Sequence, residues 1–136
     1  MNHDAIVGEV QHRAHLPSRE AAEAAIRATL TTLADRIPQA TAHHLADQLP
    51  HEIGFHLRHG ILERLPLDEF YDRLSEREGV DRSAAAFHAR VVLTLLAEAV
   101  SPGVMSKMRR ELPGSYGALF LPERGTATIA VAQVHA

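Results

Sequence analysis

The sequence predicts an all-α fold, a compact bundle of about eight helices built from two tandem, pseudo-symmetric repeats. Three observations support this prediction. Apolar residues recur at intervals of three and four, which gathers their side chains on one face of a helix. Prolines and capping residues divide the chain into segments of helical length. Residues 4–57 also align with residues 68–120, so the same order of segments occurs twice.

The alignment has an offset of 64 residues up to Leu16 and of 63 residues from Ser18 onward. Other pairs, such as Asp35 and Glu98, keep their chemistry. Because the matched positions are mostly apolar or end a helix, the repeat predicts a shared scaffold and no shared active site. The identical pairs include Asp4/Asp68, Arg13/Arg77, Arg19/Arg82, Ala22/Ala85, Leu30/Leu93, Ala34/Ala97, Pro50/Pro113 and Gly54/Gly117.

The first repeat, residues 4–60, begins with two predicted helices. The first helix is expected at roughly residues 4–14. The hydroxyl of Ser18 is expected to cap the second, longer helix, and Pro38 is expected to end it. The buried face of this helix is a stripe formed by Ala22, Ile26, Leu30, Leu33 and Ile37.

Two shorter helices complete the first repeat. Thr41 is expected to cap the third helix, and Pro50 interrupts it before a short fourth segment that stops near Gly60. Residues 61–66 form a connector that is too apolar for a flexible linker. We therefore expect the two repeats to pack against each other.

The second repeat, residues 67–121, has the same order of segments. Its first helix is expected to stop at Gly79, and Asp81 is expected to cap its long helix. Ser101 and Pro102 suit the cap and first-turn positions of the next helix. A last short helix is expected to complete this repeat as it does the first.

Length and composition predict one globular domain, residues 1–121, followed by a tail, residues 122–136, that is either an extended edge strand or disordered. The absence of cysteine excludes disulfides and thiolate metal sites and fits a cytoplasmic location. A formal charge of -3 gives no general attraction to nucleic acid or to anionic lipid. No apolar stretch approaches the ~20 residues that a membrane-spanning helix needs.

The duplicated pattern resembles the bacterial all-helical family catalogued as domain of unknown function 2267. The resemblance covers residues 2–121 and leaves out the tail. It implies an all-helical fold, and it brings no activity, cofactor or catalytic residue. The segments that carry it are Ala28–Ile37 and Gln48–Pro50 in the first repeat, and Leu67–Phe70, Arg77–Asp81, Ala89–Val100 and Glu111–Pro113 in the second.

The histidines depart from the duplicated pattern, since eight of the ten lie before residue 60 and none recurs in the second repeat. Two pairs have the helical spacing of three that can converge on a metal ion, namely His12/His15 and His56/His59. The sequence places no third ligand beside either pair, so the alternative is that they are polar surface residues. Adventitious binding of zinc or nickel is compatible with either interpretation. We reject a zinc-protease motif starting at His51, because the second histidine comes one position late.

The sequence contains no catalytic constellation and no cofactor motif. The segment around Ser115 lacks the Gly-x-Ser spacing and the preceding strand of a nucleophile elbow, so Ser115 is expected to start a helix. Glycine-rich nucleotide-binding loops are also missing. Lys107, Arg109 and Arg110 form a short basic cluster that is either a phosphate-binding patch or a set of solvated helix-end charges. We therefore predict neither an enzyme nor a bound cofactor.

The second long helix carries an additional apolar stripe. Val92, Leu95 and Ala99 stand where the first repeat has polar residues, and they lie about 90° from the main stripe of the helix. With the neighbouring His88, they are the candidate interface residues. Either the first repeat covers this stripe within the same molecule, or the stripe meets a second chain across a twofold axis.

These observations favour a non-catalytic helical module that acts by binding a protein partner or a second copy of itself as a homodimer. One alternative is a histidine-based metal-binding or pH-responsive protein. Another is a small-ligand carrier with an apolar cavity between the repeats. The sequence itself identifies neither the partner nor the ligand.

Overall fold

The computed structural model describes residues 1–120, and this part of the chain is all-α with no strand. The tail predicted over residues 122–136 lies outside the described residues. Two 3₁₀ helices accompany the α-helices: Phe55–Leu57 continues α4, and Gly114–Phe120 is the C-terminal 3₁₀ helix. The α-helices are α1 (His3–Arg13), α2 (Arg19–Ala34), α3 (Gln39–Asp47), α4 (His51–Gly54), α5 (Leu67–Glu78), α6 (Arg82–Ala99) and α7 (Pro102–Arg110).

The described residues thus form eight helices when α4 and its 3₁₀ continuation are counted together, which confirms the predicted fold class. Within residues 1–120, no helix combines the length and the apolar character that crossing a membrane requires.

Side-chain caps fix the starts of the two longest helices. The Ser18 hydroxyl accepts a hydrogen bond of 3.1 Å from the Ala21 N–H at the start of α2. The Asp81 carboxylate accepts one of 2.8 Å from the Ala84 N–H at the start of α6. Each cap pairs an amide that has no partner within its helix. Both predicted caps are therefore confirmed.

The predicted boundaries around Pro38 are wrong. Helix α2 ends at Ala34, and Ile37 is buried in the following turn instead of in a helix. Helix α3 begins directly after Pro38, so Thr41 lies inside it and does not cap it. The buried Thr41 hydroxyl instead donates a hydrogen bond of 2.6 Å to Oε1 of Glu111.

The first helix of each half ends in a left-handed turn. His15 follows α1 with φ 55°, and Gly79 follows α5 with φ 78°. These residues are aligned at the offset of 64. The residue after each left-handed position donates the same bond, from Leu16 N–H to the Gln11 carbonyl and from Val80 N–H to the Ser75 carbonyl. Glycine adopts this conformation without strain, whereas histidine does not.

Helices α2 and α6 form the centre of the bundle and pack on each other. Helix α1 contacts α2 and also α6, while α5 contacts α6 and also α2. Helix α3 packs on α7, and each 3₁₀ helix packs on the long helix of its own half. The apolar stripes of α2 and α6 meet in one core, where Leu33 and Leu93 have no exposed surface. Burying a side chain of this size contributes about 1.5–3 kcal/mol.

The connector, residues 61–66, is fixed to both halves. The Glu63 N–H donates a bond of 2.8 Å to the Asp35 carbonyl beyond the end of α2. The guanidinium of Arg73 in α5 also binds both carboxylates, with Nη1 2.6 Å from Glu63 and 3.0 Å from Asp35. Leu65 is buried, although Ile61 is 77% exposed. The connector is therefore part of the packed structure.

Candidate functional site

An open cleft of about 530 Å³ lies between α7 and the C-terminal 3₁₀ helix, and we call it the α7 cleft. Its lining is mostly apolar, with basic side chains from the last turn of α7. This combination suits a ligand that has both apolar and anionic groups. The lining includes Ala97, Arg109, Arg110, Tyr116, Gly117 and Phe120.

The cleft exists because the two halves pack differently at one glycine. In the first half, α4 lies against α3, and a Cβ placed on Gly54 would come within 2.6 Å of the Ala46 carbonyl oxygen. At the aligned position in the second half, a Cβ on Gly117 would meet no atom within 4 Å. The segment after α7 therefore stands away from that helix, whereas its counterpart in the first half closes on α3.

Two arginines give the α7 cleft its charge. The Arg109 guanidinium carbon lies 4.6 Å from the centroid of the Phe120 ring, a cation–π contact that holds it at the cleft. Nη1 of Arg110 donates a bond of 2.8 Å to the Ser106 hydroxyl. Both arginines are exposed and line the cleft, while Lys107, the third member of the predicted basic cluster, does not line it.

Tyr116 anchors the 3₁₀ helix that forms one side of the cleft. Its buried ring packs edge-on against Phe70, with 5.2 Å between the ring centroids. Its hydroxyl donates a hydrogen bond to the Leu65 carbonyl in the connector. Burial raises the pKa of the Tyr116 hydroxyl, so the group stays protonated and able to donate. These contacts fix the 3₁₀ helix at the side of the cleft to the core of the bundle.

A second, smaller cleft of about 280 Å³ lies where α1, α2 and α4 meet, and we call it the α1 cleft. Nε2 of His3 lies 3.7 Å from a carboxylate oxygen of Glu23. The half-buried His56 has a lowered pKa, mainly because burial disfavours its charged form and also because of the positive charge of Arg27. The polar residues that line this cleft are His3, Glu23, Arg27, Glu52 and His56.

Apart from Arg27, which aligns with Arg90, the charged and titratable residues of the α1 cleft are not repeated in the second half. Its histidines and glutamates align with residues of the second half that carry no charge, Leu67, Ala86, Ser115 and Leu119. Within residues 1–120, no three histidine, aspartate or glutamate side chains are arranged to hold a metal ion.

The predicted metal pairs are not built as the sequence suggests. Helix α1 ends before His15, so His12 and His15 do not share a helical face. His56 lies in the 3₁₀ turn after α4, and His59 lies beyond that turn. The exposed Phe55 ring packs edge-on against the His59 ring, with 5.1 Å between their centroids. Of these four histidines only His56 lines the α1 cleft.

Three of the four candidate interface residues are buried within the single chain and the fourth is partly buried, and this is a correction of the interface hypothesis. Val92 is 5% exposed and Leu95 is 2% exposed, because helices of the first half cover them. Ala99 is partly buried in the same layer. His88 is buried and its Nδ1 contacts the Glu78 carboxylate. The extra stripe exists because α6 is central, and within residues 1–120 it faces helices of the first half.

The space between the repeats is nearly filled. Residues from both halves, including Ile26 and Val92, surround an apolar cavity of only about 10 Å³. Such a volume is near the minimum for one water molecule. This cavity therefore has no room for a small organic ligand, whereas the two open clefts described for residues 1–120 do.

The residues that form the two clefts include several that sequence reasoning missed. His3, Glu23 and Glu52 are far apart in the chain, and only the folding of α1 and α4 onto α2 brings them together. The useful signal is their divergence, since each is polar where the second half is apolar or uncharged. For the α7 cleft, the signal is the basic pair Arg109 and Arg110 beside apolar positions of one helix.

A comparison with curated proteins finds no match to this chain. A family model described as "Uncharacterized conserved protein (DUF2267)" matches residues 3–119, from the start of α1 into the C-terminal 3₁₀ helix. The match covers most of the chain and both halves of the bundle, and it confirms the resemblance found in the sequence. On this basis, the chain belongs to the DUF2267 family of uncharacterized conserved proteins.

Proposed function

We propose that this chain is a non-catalytic binding module and that its α7 cleft binds a protein partner. The single observation that carries the proposal is the lining of this cleft, where exposed arginines flank apolar side chains. An apolar anchor inserted into such a cleft removes nonpolar surface from water. Guanidinium groups at its edge bind carboxylates through paired hydrogen bonds, which selects acidic partners.

The proposed partner is another protein and not a second copy of this chain docked on α6. The stripe that suggests a homodimer is covered by the first half of the same chain. The α7 cleft, by contrast, is open and holds enough space for one or two side chains of a partner. A cytoplasmic location remains part of the proposal and rests on the absence of cysteine.

Selection from a random peptide library tests the proposal. The 136-residue chain is immobilised, and each enriched peptide is titrated against the wild type, Gly117→Trp and Gly8→Trp. Both glycines have open space at the Cβ position, but only Gly117 lines the α7 cleft. Peptides with acidic and apolar residues should bind the wild type and Gly8→Trp equally and lose at least about tenfold in affinity for Gly117→Trp.

Circular dichroism of both variants checks that each is folded. Enriched peptides that bind Gly117→Trp as tightly as the wild type would place the binding surface elsewhere and contradict the proposal. Failure to enrich any peptide that recognises the folded chain would contradict it as well.

A further inference from the structure

We infer that the α7 cleft recognises an extended, acidic peptide segment of a partner protein, with a glycine against Ala97 and an N–H three residues later bound to the Glu98 carbonyl. This inference rests on the proposed function and specifies the ligand of the same site. Its basis is a comparison between the ends of the two central helices, one of which already holds such a segment.

In the first half, the chain itself supplies the segment. After the 3₁₀ turn it crosses the end of α2, where Gly60 lies so close to Ala34 that no Cβ would fit. Three residues later, the Glu63 N–H donates its bond of 2.8 Å to the Asp35 carbonyl. A glycine and an amide three residues apart therefore dock an extended segment on the end of this helix.

The end of α6 presents the same groups. Ala97 aligns with Ala34, and Glu98 aligns with Asp35. The carboxylate of Asp35 binds Arg77, and the carboxylate of Glu98 binds Arg13, so each helix end is held by an arginine of the other half. Each end thus carries an aligned alanine and an arginine-bound carboxylate, although α2 stops at Ala34 and α6 continues through Ala99.

Among residues 1–120, the docking position is occupied in the first half, whereas no described segment covers it in the second. Ala34 is 2% exposed and lies against Gly60, whereas Ala97 is exposed and lines the α7 cleft. Residue 102, which would donate to the Glu98 carbonyl if α6 continued, is a proline without an N–H. No other backbone amide among residues 1–120 donates to that carbonyl. A peptide amide would supply the missing bond.

Charge determines the composition of the segment. The exposed Arg109 and Arg110 lie in the same cleft as Ala97, so carboxylates next to the glycine would meet guanidinium groups. Bonds between guanidinium and carboxylate groups are stronger than bonds between neutral groups. The occupant is therefore a glycine-containing acidic segment, and a basic segment is disfavoured.

The probe is an acetylated and amidated peptide with the sequence of residues 58–65, carrying Arg58→Glu and Arg64→Glu. It is titrated into the ¹⁵N-labelled 136-residue chain. We expect chemical shift changes at Gly103 and Gly117 and saturable binding. The same peptide with Gly60→Ala, or with an N-methyl group on the Glu63 amide, should bind at least about tenfold more weakly.

Two variants of the chain complete the test. Ala97→Leu fills the docking position and should abolish binding, while Ala5→Leu, at another exposed alanine, should not change it. Equal affinity for the Gly60→Ala peptide would overturn the inference, as would shifts confined to the α1 cleft. In either case, library peptides that are sensitive to Gly117→Trp would still support the proposed function.

Competition by residues 121–136 is examined with a chain ending at Phe120, which retains every described helix, and with residues 121–136 as a separate peptide. If that peptide binds the shortened chain at Ala97 and displaces the probe, the cleft belongs to this chain's own segment. The assignment to a partner protein would then be overturned. No displacement supports the assignment.

Discussion

Arg13 and Glu98 join α1 to α6 by a two-pronged ion pair across 85 residues of sequence. Nη1 lies 2.8 Å from Oε2, and Nη2 lies 2.9 Å from Oε1. The aligned residues Arg77 and Asp35 make the reciprocal contact from α5 to the end of α2, at 2.9 Å. Each half therefore holds the end of the other half's long helix.

The reciprocal pairs differ in burial, and this predicts different contributions to stability. The Glu98 side chain is 48% exposed, so Glu98→Gln should lower the free energy of unfolding by less than about 1 kcal/mol. The Asp35 side chain is only 12% exposed and binds two arginines, so Asp35→Asn should cost about 2 kcal/mol. Urea unfolding measures both values, and equal losses would contradict the prediction.

The ion pair between Arg13 and Glu98 also predicts that stability depends on pH in the acid range. The hydrogen bond from Arg13 lowers the pKa of the Glu98 carboxyl. The carboxylate therefore stabilises the fold above its unfolded pKa of about 4.3, and this stabilisation is lost as the pH falls through the lower folded pKa. The difference in unfolding free energy between wild type and Glu98→Gln should shrink over that range. A difference that is constant with pH would exclude this linkage.

The left-handed turn at His15 predicts a stabilising substitution. Because histidine is strained at φ 55°, His15→Gly should raise the free energy of unfolding by about 1 kcal/mol. The opposite change at the aligned position, Gly79→His, should lower it by a similar amount. Thermal or urea unfolding of both variants provides the test. A destabilised His15→Gly would show that the side chain makes compensating contacts.

The lowered pKa of His56 in the α1 cleft predicts a second dependence of stability on pH. Since burial lowers its pKa, the unfolded chain binds a proton more readily than the folded one. Stability should therefore fall as the pH drops from about 6.5 through the folded pKa. NMR titration of His56 should give a midpoint below 6.5, and Arg27→Gln should raise that midpoint. A midpoint at or above 6.5 in the wild type would rule this out.

Because Val92 is buried in the core, we expect Val92→Asp to unfold the chain and not to dissociate a dimer. An aspartate at this core position has no charge partner, so Val92→Asp should cost more than about 3 kcal/mol. Ser83→Asp places the same charge on an exposed position in the first turn of α6 and should change stability by less than about 1 kcal/mol. Circular dichroism with light scattering distinguishes the two effects. A folded Val92→Asp variant of reduced mass would restore the interface hypothesis.

Features set by local chemistry are those that the sequence predicts well. The caps at Ser18 and Asp81 and the stop at Gly79 depend on a few neighbouring residues, and the structure shows all of them. The end of α2 is different, because the apolar spacing continues to Ile37 although the helix stops at Ala34. A side chain can be buried from a turn as well as from a helix, and apolar spacing does not separate the two.

The candidate sites depend on tertiary distances, which explains why the sequence predicts them poorly. An apolar stripe such as Val92 and Leu95 indicates that a helix face is covered. It does not indicate whether the same chain or another chain covers that face. The α7 cleft arises from the different packing of Gly54 and Gly117, which are identical residues in aligned positions. No pattern of residue types distinguishes a glycine in close contact from one beside open space.

Each outer helix also packs on the long helix of the other half, α1 on α6 and α5 on α2. This packing predicts how fragments of the chain behave. Neither half contains all the partners of its own long helix, so each fragment alone would expose much of its core. Two chains covering residues 1–60 and 61–136, when expressed together, should associate and form the bundle. The arrangement is the one that two identical half-length subunits would form before a fusion event joined them.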